Sequence, residues 1–162
     1  MADNFLEKRQ EAYREQAAKG IPKRVNSVIK LAERSVTLSF DAGYKVRVDQ
    51  LQRIVSAGEA IGGGAGVGFH VLSDRDSLLL TPFIDERLRY SLSYIILGVV
   101  DVDKGGLLSV LLGRTLQMML LQAAEIGLAA AIVSDFDSKR LSDTISLPFT
   151  PVVIIAVGKG VK

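Results

Sequence analysis

Arg34 followed by Ser35, and Lys159 within Val-Gly-Lys-Gly, are the residues of this chain best suited to holding an anion. Each cation stands at the end of an extended apolar run beside small neighbours, an arrangement that can grip a phosphate. Solvated surface charge is the commoner role for such residues. His70 is the only histidine, which excludes a His-based metal cluster within one chain. No Ser-His-Asp arrangement can be assembled around it, and a structural histidine fits better than a general base. Asp135 and Asp137 could be paired carboxylates, but they stand just before a helical pattern, where capping is the better reading. Asp101 and Asp103 lack EF-hand spacing. With no cysteine, disulfides, thiolate metal sites and a cysteine nucleophile are excluded.

Gly62, Gly63 and Gly64 open the run Gly-Gly-Gly-Ala-Gly-Val-Gly. A phosphate-binding glycine loop follows a strand and opens a helix, because the helix N-terminus holds the anion. Here the order is reversed: the glycines follow a helical pattern and feed a strand, and no lysine occupies the Walker position. The plain reading is a mobile connection. The sharper one is close approach of bare backbone to a flat ligand.

The elements that must position these residues are organised around Gly105 to Gly127. Between those glycines the residues are apolar around most of a helical circumference, with Arg114, Gln117, Gln122 and Glu125 on one side. Such a helix is expected to be buried. A membrane span is the rival by length, but Arg114 and Glu125 on one face and the lack of a basic flank favour the core of a soluble domain. Val48–Ala60 predicts a second helix, and Ser134–Ile145 a short capped one. Phe69–Leu72, Ser93–Val100, Leu128–Val133 and Pro151–Val157 predict strands, the second a continuous apolar run of the kind buried on both faces. Arg34–Phe40 reads as extended, Asp41–Lys45 as a turn, and Leu78–Arg87 fits no single pattern. At the N-terminus, residues 3–19 and 26–33 predict helices. The first has so thin an apolar face that it needs a docking surface, giving a helical arm over 1–24 and one domain over 25–162.

The 162 residues are 48% hydrophobic and 23% charged, with net charge +2. These values suit one globular domain. The charge does not point to nucleic acid, and no aromatic cluster accompanies the basic residues. Met1 leads into charged residues rather than an apolar signal core, so a cytoplasmic location is expected.

From Arg34 to Lys162 the chain resembles the nitroreductase family of FMN-dependent oxidoreductases. Ser-Tyr-Ile-Ile-Leu-Gly-Val-Val, the central helix with its Gly-Leu turn, the strand, short helix, Leu147-Pro148 and the final strand ending Gly-Lys-Gly are similar to the family's run. Glu33-Arg34-Ser35-Val36 and the helix behind it resemble its Arg-Ser opening. The resemblance implies an α+β fold: a three-layer α/β/α sandwich whose mixed, mainly antiparallel sheet is flanked by helices, with the long buried central helix at a dimer interface. It implies a homodimer with FMN at the interface, touched by both subunits, and hydride taken from NAD(P)H and passed to a small electron acceptor such as a nitroaromatic or quinone. Neither nucleic acid nor membrane is an expected partner. Carried over residue by residue, Arg34, Ser35 and Lys159 match the phosphate-binding positions and Gln117 a frequent glutamine on the central helix. Ala129 and Ala130 match small residues whose N–H groups face the flavin edge, and Gly62, Gly63 and Gly64 would lie along the ring.

The chain also departs from that family. Thr37 or Leu38 stands where a second arginine is usual, Ile61–Gly68 replaces a Pro-Ser-x-Asn-x-Gln segment, and Leu111 replaces an acid. Two alternatives follow: a catalytically degenerate dimer that binds flavin or a partner, and a small α/β protein sharing only architecture.

Overall fold

The computed structural model describes residues 37, 39–89, 92–100 and 106–161. The readings for the N-terminal arm, the helix at 26–33, Arg34, Ser35, Asp101 and Asp103 lie outside these residues.

Helix α1 spans Val48–Gly62, β1 Val67–Val71, the short α2 Asp74–Ser77, and β2 Ser93–Val99. Helix α3 follows at Gly106–Glu125, then β3 Ala129–Val133, α4 Ser138–Ile145 and β4 Thr150–Gly158. The ambiguous stretch after α2 forms two 3-10 segments, Leu78–Phe83 and Glu86–Leu88. Pro82 lies inside the first, and its missing N–H and the clash of its ring with the carbonyl four residues earlier stop a longer α-helix there.

The described strands form one sheet in the order β1-β2-β4-β3, and every pairing is antiparallel. The expected mixed sheet is thus antiparallel throughout these residues. Side chains alternate between two buried clusters. Ile95, Leu97, Val153, Ile155 and Val157 pack with Leu51, Ile54, Leu112, Met119 and Ala123 of α1 and α3. Tyr94, Ile96, Ile154 and Ala156 pack with Leu80, Phe83, Ile84, Leu88 and Leu141 on the other face. Burial on both sides is why β2 and β4 read as unbroken apolar runs. Gly68 and Gly98, paired directly across β1 and β2, leave a niche for Phe149. Its ring atoms lie 2.4 and 2.5 Å from where their Cβ atoms would stand.

Three local signals formed as the residues dictate. Asp137 caps α4, its carboxylate accepting the Arg140 N–H at 3.0 Å. Gly127, at φ 79°, ends α3: Leu128 N–H bonds the Ala123 carbonyl at 2.8 Å and Gly127 N–H that of Ala124 at 3.1 Å. This is the left-handed glycine stop of a Schellman motif. Asp41 accepts the Gly43 N–H at 2.9 Å and so shapes the predicted turn.

One expectation is corrected. Helix α3 is not buried all round: over Leu107–Glu125, whose mean hydropathy of 1.4 and length would suffice to cross a bilayer, 33% is buried in this chain. Leu108, Leu112, Thr115, Met119 and Ala123 face the core, whereas Leu107, Val110 and Met118 are exposed together with Arg114, Gln117 and Glu125. Among the described residues, α1 and the sheet together cover one side of it only.

Candidate functional site

Lys159 follows directly on β4, and Ala129 pairs with Gly158 at the head of β3. The chain around residue 40 joins the same corner. Phe40 bridges Gly160, and the N–H groups of Asp41 and Val161 bond the carbonyls of Lys159 and Ser39 at 2.8 and 3.0 Å. Thr37 N–H bonds the Ala130 carbonyl at 2.9 Å, placing the segment that follows Arg34-Ser35 along the outer edge of β3. Within a strand the N–H and C=O of one residue point to the same side. Ala130 therefore turns its N–H to that outer edge, while Ala129 is directed at β4. Of the two alanines, Ala130 alone has the geometry expected of an edge donor.

Lys159 is exposed, and its ammonium lies 5.4 Å from the centroid of the Tyr44 ring. That distance suits a cation–π contact. Tyr44 is itself held: the Gln50 side-chain amide donates to its hydroxyl at 3.0 Å, and the same side chain accepts the Arg47 N–H at 3.0 Å. The N-terminus of α1 thereby fixes the aromatic platform beneath Lys159. No sequence signal ties Tyr44 to Lys159, because they meet only when the turn at Asp41 folds onto the end of β4.

The glycines lie elsewhere. Val67 pairs with Val99, and Val99 with Thr150, so the residues preceding β1 stand at the opposite end of the sheet from Lys159. The nine residues of β4, rising about 3.3 Å from each to the next, separate the two ends by roughly 26 Å. Gly62 is buried, with the Thr115 hydroxyl 2.5 Å from where its Cβ would stand. Gly58, one turn earlier, meets Met119 in the same way, at 2.7 Å. Close backbone approach is therefore the role of Gly62, but toward α3. Gly63 and Gly64 are exposed, and a side chain at Gly64 would meet nothing within 4 Å. Gln117 is exposed on α3, two residues from the buried Thr115 and so on the opposite side of the helix.

Among the predicted residues, the chain thus brings together Ala129, Ala130 and Lys159, and keeps Gly62–Gly64 and Gln117 apart from them. His70 lies on β1 opposite Ile96, half-buried. Asp137 is a cap and Asp135 an exposed neighbour. Among the described residues no group of three or more metal-ligating side chains is present.

No protein-family model matches the chain, and no curated protein sequence does either. Solved structures do. A nitroreductase family protein from Clostridium novyi NT superposes with a TM-score of 0.69 at 15% identity, covering 85% of each chain. The nitroreductase family protein from Streptococcus pneumoniae TIGR4 gives 0.68 at 15% identity, over 83% of this chain and 91% of that one. An FMN-dependent nitroreductase from Clostridium difficile R20291 gives 0.67 at 17% identity, over 82% and 86%. The chain has the α+β fold of these nitroreductase-family structures, as its sequence resemblance implied.

Proposed function

We propose that this protein is an FMN-dependent oxidoreductase that passes hydride from NAD(P)H to a small acceptor, a nitroaromatic or quinone, and works as a homodimer in the three-layer arrangement its resemblance implies. The observation that carries this reading is the corner where Lys159, Ala130 and the segment after Arg34-Ser35 meet, on a fold shared with nitroreductase-family structures. The residues present there fit the phosphate and edge of a flavin. Lys159 is an exposed cation beside small residues, Arg34 and Ser35 shortly precede Thr37, which bonds β3, and Ala130 offers an edge N–H. FMN, when bound, supplies hydride acceptance and transfer to a second substrate. The chain's own task is to hold and orient it, which needs no triad.

Distance supports the homodimer in this reading. Gly63 and Gly64 cannot touch a molecule held at Lys159 of the same chain, since the sheet separates them. A second copy supplies the missing end, and the exposed apolar side chains of α3, Leu107, Val110 and Met118, are the surface for it. Arg114, Gln117 and Glu125 on that face suit a protein partner better than lipid.

The test is whether flavin copurifies, read as absorbance near ~450 nm, and whether NADPH bleaches it without oxygen. Lys159→Ala should weaken FMN binding about tenfold, the loss of one charge-assisted contact. Unchanged affinity would remove Lys159 from the site. A second reading, a dimer that binds flavin or a partner without turnover, is favoured by Ile61–Gly68, which offers no polar side chain and only backbone polar groups. Bound flavin that NADPH fails to bleach would select it.

A further inference from the structure

A cavity of about 330 Å³ lies between the Asp41–Lys45 turn, the first 3-10 segment and the start of β2. It exceeds the roughly 300 Å³ at which small-ligand pockets begin. Lys159 is not in its wall; Tyr44, which lines it, stands between the two. None of the residues assigned to flavin lines it. We infer that this cavity is a second binding site, for a small organic monoanion with a flat apolar body, of which an aromatic carboxylate is the simplest case.

The lining sets each part of that description. Val46, Ile84 and Tyr94 form a buried apolar wall. The Tyr94 hydroxyl donates to the Leu88 carbonyl, so it offers no proton to a ligand. Burial pushes its pKa up to about 12, so it adds no charge. Of the serine and threonine hydroxyls in the lining, two are committed: Ser77 donates to the Ser73 carbonyl at 2.9 Å and Thr81 to that of Leu78 at 2.8 Å, which leaves Ser93 beside the charged groups. Three charged residues remain, Lys45, Asp74 and Arg89. Lys45 is paired with Asp74 at 3.0 Å, whereas among the described residues Arg89 is in no ion pair. The net balance is one positive charge, carried by a planar guanidinium that matches a carboxylate. A dianion such as a phosphate monoester would exceed that balance. A neutral aromatic would offer the guanidinium a stacking contact but no charge-assisted hydrogen bond.

The test is a titration of the full chain with 2-naphthoate, followed by the probe's fluorescence, beside the uncharged 2-naphthamide. Naphthoate is expected to saturate and to bind at least about tenfold more tightly than the amide, one charge-assisted pair apart. Arg89→Gln should erase that preference, Arg89→Lys should keep part of it, and Thr81→Phe, which fills the mouth, should abolish binding of both. Unchanged circular dichroism and melting would show that each variant folds. Added FMN should leave naphthoate binding unaffected, whatever becomes of the flavin proposal. Equal binding of the two probes, absence of saturable binding, survival of binding in both Arg89→Gln and Thr81→Phe, or competitive displacement by FMN would each overturn the inference.

Discussion

Tyr94 illustrates how a single side chain couples the sheet to its covering segments. Its ring is buried in β2, and its hydroxyl reaches the carbonyl of Leu88 in the second 3-10 segment. Because burial raises its pKa from 10.0 to about 12, the folded chain holds the phenolic proton more tightly than the unfolded chain does. That contribution is complete below pH 10 and is lost as pH rises toward about 12. Tyr94→Phe should flatten the alkaline fall in stability, while costing about 1–3 kcal/mol at neutral pH through the unpaired Leu88 carbonyl. Urea unfolding across that pH range measures both. The two aspartates before α4 separate as cleanly. Asp137→Ala should cost about 1 kcal/mol, the worth of an N-cap, and Asp135→Ala should stay within about 0.5 kcal/mol. Equal effects on stability would contradict the capping assignment.

At the scale of elements, the crossing of α1 and α3 decides how the core closes. Gly58 and Gly62 lie one turn apart on α1, facing Met119 and Thr115, one turn apart on α3. Bare backbone lets the helices approach, and the buried Thr115 hydroxyl has no hydrogen-bond partner among the described residues. Gly62→Ala should therefore destabilise by about 1–3 kcal/mol through overpacking. Adding Thr115→Ala should recover part of that loss, since it removes the clashing oxygen and an unpaired buried polar group together, while Val67, 2.8 Å from the same Cβ position, stays in place. A double-mutant cycle by thermal melting reads the coupling, and strict additivity would mean that the two residues do not meet. The sequence displayed these glycines plainly but not their neighbour, because Thr115 sits on the other helix.

For the whole molecule, the consequence is the uncovered side of α3. Leu107 is 81% exposed and Val110 61%, a large apolar outlay for one chain to leave in water. Under the homodimer proposal, Val110→Glu should yield monomers in sedimentation and, with them, lose flavin, because a shared site needs both copies. A wild-type chain that sediments as a monomer would remove the dimer, and a Val110→Glu monomer retaining flavin would place the site within one chain.

The apolar runs of β2 and β4, the glycine that ends α3 and the cap of α4 were legible in residue order, since each rests on neighbours a few positions apart. Arg34, Ser35, Ala130 and Lys159 could be named as candidates, yet nothing in their spacing tells which ones meet. Strand register alone sends Gly63 and Gly64 to one end of the sheet and Lys159 to the other. Likewise an apolar helix implies that something covers it, without saying whether its own chain or another does. Local preference is written along the backbone; proximity between distant segments arises only when the sheet pairs and the helices pack upon it.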